Sequence, residues 1–196
     1  VSNVSTKETV EVIKRAKSNG IKITCDTSPP YFSLNELELS TYDTSFKLSP
    51  PLRNEEDRIA IQNAIFDDTI DVITSDHKPM SNDTKILPFT SASTGASGIE
   101  TLLPLTLNLL NKSDVSIMNI LKKITLNPSK LLKVEIPKIK SNEKANFIIF
   151  DPNEQYLINK DLLKTSPTPF HGRPVQGKNY MSMMNGEIVF DNLDLL

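Results

Sequence analysis

Asp76 and His77 are the side chains whose type and place best suit chemistry. They follow Asp71-Val72-Ile73-Thr74-Ser75, a short β-branched run that predicts a strand, and parallel α/β barrels carry their reacting groups at the C-terminal ends of such strands. A carboxylate there suits general acid–base work, taking a proton from an attacking water and returning it to a leaving nitrogen. The bland alternative is that Asp76 caps the element that follows its strand. His77 and His171 are the only histidines and lie far apart in sequence, so a His-rich metal centre cannot be built from this chain. Cys25, the single cysteine, has no neighbouring His base and reads as a small buried hydrophobe. His171 reads as a solvent-facing loop residue, and Met181, Met183 and Met184 as packing on a hairpin rather than a ligand set.

The elements that must position these groups alternate. Ser5 to Gly20 predicts a helix, with Ser5 or Thr6 as cap and Val10, Ile13 and Ala16 on one face. Ile21 to Cys25 predicts a strand ended by Ser28-Pro29-Pro30. A polar loop over Leu34–Ser49 leads to a helix capped by Asn54, and the strand at Asp71–Ser75 follows. Helices are expected from Gly98 to Asn111, from Val115 to Ile124, and after Asn127, a natural cap with Pro128 at the first position. From Ile136 the pattern turns to β: a buried strand over Ala145–Asp151, another over Gln155–Ile158, and a hairpin of Tyr180–Met184 with Glu187–Phe190 across Asn185-Gly186. Loops at Pro79–Thr94 and Lys164–Gly177 are the linker candidates, too polar or proline-rich for core.

Composition narrows the class. With 196 residues, 22 Lys+Arg against 24 Asp+Glu and no long block of one sign, there is no electrostatic case for nucleic acid or an anionic membrane. Lys112, Lys122, Lys123 and Lys130 read as solvated helix-face charges. No apolar run approaches the roughly 18 residues that a membrane span needs. One cysteine forms no internal disulfide, which fits a reducing, cytoplasmic setting. The N-terminus has neither an initiator Met nor a signal-peptide pattern, so the chain is expected to begin mid-protein.

Several segments in order resemble the dihydroorotases of the amidohydrolase superfamily, of the type related to the multifunctional pyrimidine complex. They are Val4-Ser5-Thr6-Lys7-Glu8, Leu48-Ser49-Pro50-Pro51-Leu52-Arg53 with Asp57-Arg58, Thr69 to His77, Gly98-Ile99-Glu100-Thr101 and Asn127-Pro128-Ser129-Lys130. Ala145-Asn146-Phe147 through Asp151-Pro152, Thr168 to Gly172 and Asn185 to Val189 extend the likeness nearly to the C-terminus. The resemblance implies an α/β chain: the C-terminal part of an amidohydrolase (β/α)8 barrel, its last two or three βα units, over 1–135, and the C-terminal part of an accessory β-sandwich over 136–196. A partial barrel leaves an open sheet edge and an uncovered core face, so a homo-oligomer is expected.

The implied chemistry is zinc-dependent interconversion of dihydroorotate and N-carbamoyl-aspartate, with Asp76 as catalytic proton shuttle and metal ligand. Other positions depart from the family's pattern. A zinc-binding His is Asn3 here, and a neutral amide is a far poorer zinc ligand than imidazole. A His on the substrate carboxylate is Met80, a thioether without charge. A substrate-contacting Asn is Ser49, a Pro-His-His is Pro29-Pro30-Tyr31, and Thr94-Gly95 stands for a Phe-Gly pair that meets substrate through its backbone. Zinc is therefore expected to be absent from this chain, and the chain alone is expected to be inactive. The alternative is a non-catalytic homologue that holds aspartate transcarbamoylase. A hydantoinase or allantoinase shares part of the pattern, but the continuous spacing favours dihydroorotase.

Overall fold

The computed structural model describes residues 1–136, 138–159 and 167–193. Helix α1 (Lys7–Ser18) starts where Thr6 accepts from the Thr9 amide, and it buries Val10 and Ile13. The strand expected over Ile21–Cys25 is instead β1 (Asp26–Thr27). Its predecessors spend their amides elsewhere: Ile21 donates to the Ala16 carbonyl at the end of α1, and Cys25 to the Asp71 carboxylate. A ladder therefore begins only at Asp26. Helix α2 (Pro29–Ser33) is wholly buried but for its last residue. The loop that follows is organised by two tight 3-10 turns, Glu36–Thr41 and Thr44–Phe46.

Helix α3 (Glu55–Phe66) is capped as expected, with Asn54 Oδ1 accepting from the Asp57 amide at 2.9 Å. Asp57 in turn accepts from the Lys7 amide at 2.8 Å and so ties α3 to the start of α1. Asn54→Ala is expected to cost about 1 kcal/mol, the usual loss for such a cap, read as a lower urea midpoint at unchanged slope. A shift below about 0.3 kcal/mol would show that the cap is silent.

Helix α3 returns the chain to β2 (Val72–Ile73), which pairs parallel with β1, Asp26 opposite Val72 and Thr27 opposite Ile73. The start of β2 is pinned by charge. Lys17 Nζ reaches both Asp71 carboxylate oxygens at 2.8 Å, and Lys123 Nζ reaches Asp68 Oδ1 at 2.8 Å and the Ile70 carbonyl at 2.7 Å. Lys123, expected on a solvated face, is 1% exposed. Its stem fills the core while its head serves that end of the strand.

Between β2 and the next long helix lies α4 (Asn82–Lys85), inside the segment 79–94 expected to be a linker. Lys85 and Ala92 are buried there, because this segment folds back onto the loop before α3. The helix expected from Gly98 begins later, as α5 (Leu102–Leu107) with a 3-10 extension over Asn108–Lys112. The Gly98 and Ile99 amides are taken by His77, which leaves them outside the helix. The next two helices, α6 (Ile117–Leu121), capped by Ser116, and α7 (Leu126–Leu132), are shorter than expected. Asn127 lies inside α7 and is no cap; its side-chain Nδ2 donates to the Asp71 carbonyl at 2.7 Å.

The β part is one antiparallel sheet in the order β3 (Phe147–Leu157), β4 (Pro174–Met184), β5 (Glu187–Asp191). The two strands expected over 145–158 are one, interrupted by a register shift between Asp151 and Gln155. The hairpin at Asn185-Gly186 forms with both residues at positive φ, 51° and 89°, as a two-residue primed turn requires. Ile148 and Ile149, expected to be buried, are exposed with Ile188, Val189 and Phe190, since no described element packs over them. Of the expected linker 164–177, residues 164–166 lie outside the described part. The remainder is a turn that leads into a strand, and within it Thr168, Phe170 and Val175 are buried.

Two cores result. Val10, Ile13, Phe32, Ile61, Ile65 and Ile73 belong to the first. The second joins Leu34, Leu48, Ala96 and Leu105 to Ile158, Phe170 and Val175, so the helical part and the sheet share one apolar contact. Among the described residues no helix is long and apolar enough to cross a membrane.

Candidate active site

The strand β2 delivers Asp76 to its C-terminal end, with φ at 44°, a left-handed conformation that Asp tolerates better than most residues. The side chain is 13% exposed. It borders a crevice of about 10 Å³, room for one water, between Pro29, Leu48, Ser75, Gly98 and Phe170. Asp76 Oδ1 carries two partners. Asn3 Nδ2 donates to it at 3.1 Å, and Lys78 Nζ lies 2.8 Å away. Asn3 is itself held at φ 54°, its amide donating to Asp26 Oδ1 at 2.9 Å. Its own side-chain oxygen is buried and accepts no hydrogen bond from the described residues.

His77 faces elsewhere. Its Nδ1 accepts from the Gly98 amide at 3.2 Å and the Ile99 amide at 3.3 Å, so the ring orients the strap that precedes α5. That strap runs hard against β2: a Cβ on Gly98 would lie 2.2 Å from the Ser75 carbonyl oxygen. Gly95, at φ 128°, sits in a second close approach, where a Cβ would lie 2.7 Å from the Lys78 carbonyl oxygen and 3.1 Å from the Met80 methyl. Lys78 also donates its amide to the Ala96 carbonyl at 2.9 Å.

The expected site residues therefore fall into groups. Asp76 and Asn3 touch, and Gly95 and Met80 meet beside the Lys78 backbone. Ser49 and Thr94 are exposed, and among the described residues no hydrogen bond links either to Asp76.

Lys78 joins the site through its ammonium beside the Asp76 carboxylate. Tyr31 is also drawn in: burial pushes its hydroxyl up, the Asp76 charge adds to this, and Arg53 opposes it. That hydroxyl donates to the Pro50 carbonyl at 2.8 Å. The loop before α3 is also clasped to the segment around α4. Thr44 Oγ1 donates to the Lys85 carbonyl, Lys85 Nζ donates to the Thr44 carbonyl at 2.7 Å, and Lys47 Nζ donates to the Thr90 carbonyl at 2.9 Å. Burial lowers the Lys85 ammonium from its ordinary value. Both loops look merely polar in sequence, and only their pairing makes them structural.

The order of these features can be set against known proteins. The amidohydrolase family model matches residues 2–189. The chain belongs to the amidohydrolase family. Curated relatives of this amidohydrolase include the dihydroorotase of Clostridium acetobutylicum, 36% identical over 195 residues, and that of Anaplasma phagocytophilum, 35% identical over 192. Those alignments cover 98% and 97% of this chain but 46% and 43% of the relatives, so the chain spans less than half their length. The L-hydantoinase of Arthrobacter aurescens superposes with a TM-score of 0.87 at 27% identity, over the whole of this chain and 45% of that one.

An amidohydrolase implies a divalent metal, and the donor set can be tested for one. Among the described residues no three His, Cys, Asp or Glu side chains converge. At Asp76 the available donors are one carboxylate and one neutral amide, with an ammonium 2.8 Å from the carboxylate. Zinc sites draw three or four anionic or imidazole ligands. The residues of this chain do not fit the metal.

Proposed function

We propose that this chain is the C-terminal portion of a dihydroorotase-type cyclic amidohydrolase, with the last barrel units over 1–135 and part of the accessory β-sandwich over 136–196. Its reaction would be the interconversion of dihydroorotate and N-carbamoyl-aspartate. In that reaction Asp76 would move a proton to or from the amide nitrogen, with Ser49, Met80, Thr94 and Gly95 on the substrate side. One observation carries the reading: a largely buried carboxylate at the end of β2, bordering a crevice, in a chain matched along nearly its whole length by the amidohydrolase model.

The chain by itself is inactive on this reading, since among the described residues no metal-ligand set is assembled. The test is cyclisation of N-carbamoyl-aspartate by the purified chain with added zinc. Formation of dihydroorotate above the buffer control, abolished by Asp76→Asn, would contradict inactivity; no product above that control is expected.

A second reading, a non-catalytic homologue that holds aspartate transcarbamoylase, is favoured by the uncovered apolar residues Ile148, Ile149, Ile188, Val189 and Phe190. Co-purification at micromolar concentration supports it, and separate elution of the two proteins removes it. The same surface supports a homo-oligomer.

A further inference from the structure

We infer that the Lys78 ammonium is the resident cation of Asp76, filling the electrostatic place of the family's metal. The inference rests on the amidohydrolase reading for the identity of the site, and on this chain's own geometry for the rest. Asp76 is mostly buried, and a buried carboxylate needs a counter-charge or enough donors to replace its lost hydration. Two groups supply them on one oxygen, Lys78 Nζ at 2.8 Å and Asn3 Nδ2 at 3.1 Å. One of them comes from a position that a metal site would use otherwise. Asn3 stands where the resemblance calls for imidazole, and it offers hydrogens to Asp76. Lys78 is two residues beyond Asp76; a Cβ on Gly95 would lie 2.7 Å from its carbonyl oxygen, so the two backbones pack closely, and its amide donates to the Ala96 carbonyl.

His77, the one imidazole nearby in sequence, is withdrawn by the two strap amides on its Nδ1. Among the described residues, the three beside Asp76 that could bear on a cation are thus a neutral amide, an ammonium and an imidazole whose Nδ1 is occupied. A divalent ion would have to expel an ammonium from a 2.8 Å contact and take up ligands that this chain does not present. The pair is a built replacement rather than a vacant metal site.

The test is a calorimetric titration of the full chain with zinc chloride, together with thermal unfolding with and without zinc. Wild type is expected to show no zinc site that depends on Asp76, and no rise in Tm with zinc. Lys78→Met is expected to lower Tm by about 3–6 °C, since Asp76 loses its counter-charge, and zinc is expected to restore part of that loss by binding the freed carboxylate. Adding Asn3→His to Lys78→Met is expected to raise zinc affinity on the order of 100-fold over wild type, as two obstacles to ligation are removed. Lys78→Arg, which keeps the charge, is expected to fold and exclude zinc even if the methionine variant does not fold.

Stoichiometric zinc in wild type that is lost in Asp76→Ala would overturn the inference. So would zinc binding by Lys78→Arg equal to that of the double variant. If wild type holds zinc without forming dihydroorotate, this inference fails and the proposed function stands; zinc together with turnover removes the proposed inactivity as well.

Discussion

Phe170→Ala is expected to destabilise the protein by about 3–5 kcal/mol, the range for emptying a buried phenylalanine site, with Tm lower by on the order of 10 °C. Phe170 is 2% exposed and belongs to the core that joins Leu34, Leu48, Ala96 and Leu105 to Ile158 and Val175. It also lines the Asp76 crevice. The truncation therefore opens a void where the helical part meets the sheet, and neither side can close it without dragging the other. Urea unfolding followed by far-UV circular dichroism reads the loss. His171→Ala, next in sequence but exposed, is the control and should stay within about 0.5 kcal/mol of wild type. Equal effects at the two positions would mean that the shared core is not the link between the parts.

The second large effect is at Gly98. A methyl group there meets the Ser75 carbonyl oxygen at 2.2 Å, and the obstacle is backbone, not the end of a flexible side chain. Either the strap or the end of β2 must move, and both amide bonds to His77 Nδ1 go with it. A loss of about 3 kcal/mol is expected for Gly98→Ala, at the upper end of overpacking costs, with shifted amide resonances at Asp76, His77 and Lys78. Gly20→Ala separates packing from backbone conformation. Gly20 has φ +75° with nothing within 4 Å of a Cβ, so it should cost only about 1–2 kcal/mol for the left-handed residue. A Gly98→Ala variant no less stable than the Gly20 variant would refute the close approach.

What could be read from the sequence is what local physics dictates. The caps at Thr6 and Asn54 announce α1 and α3, and Asn185-Gly186 announces a turn with two positive φ angles. The address of Asp76 was legible because a β-branched run fixes the end of a strand, and because the flanking segments keep the family's order. Features that depend on partners were not. The extent of β1 is decided by where Ile21 and Cys25 send their amides, and the start of α5 by a histidine more than twenty residues upstream.

Lys123 carries the same side chain as its solvated neighbours, yet its neighbourhood turns it inward to Asp68 and Ile70. Asn127 looks like a cap by type and position, but the Asp71 carbonyl claims it. Lys78 was visible only as a charge near the site; its partner depends on how Asp76, in a left-handed conformation, turns its carboxylate. Asn3 and Lys78 act together, since the one donates to and the other pairs with the same carboxylate oxygen, and such cooperation shows only in three dimensions.

The central claim is that the carboxylate at the end of β2 is countered from within the chain by a specific ammonium. Nuclear magnetic resonance on uniformly ¹⁵N-labelled protein tests it directly, through the ¹⁵N shift of the Lys78 ammonium group and its exchange with water. The expected result is an ammonium that exchanges more slowly than those of the exposed lysines, a difference lost in Asp76→Asn and unchanged by added zinc. A Lys78 ammonium that exchanges as fast as the exposed lysines, in wild type and Asp76→Asn alike, would contradict it.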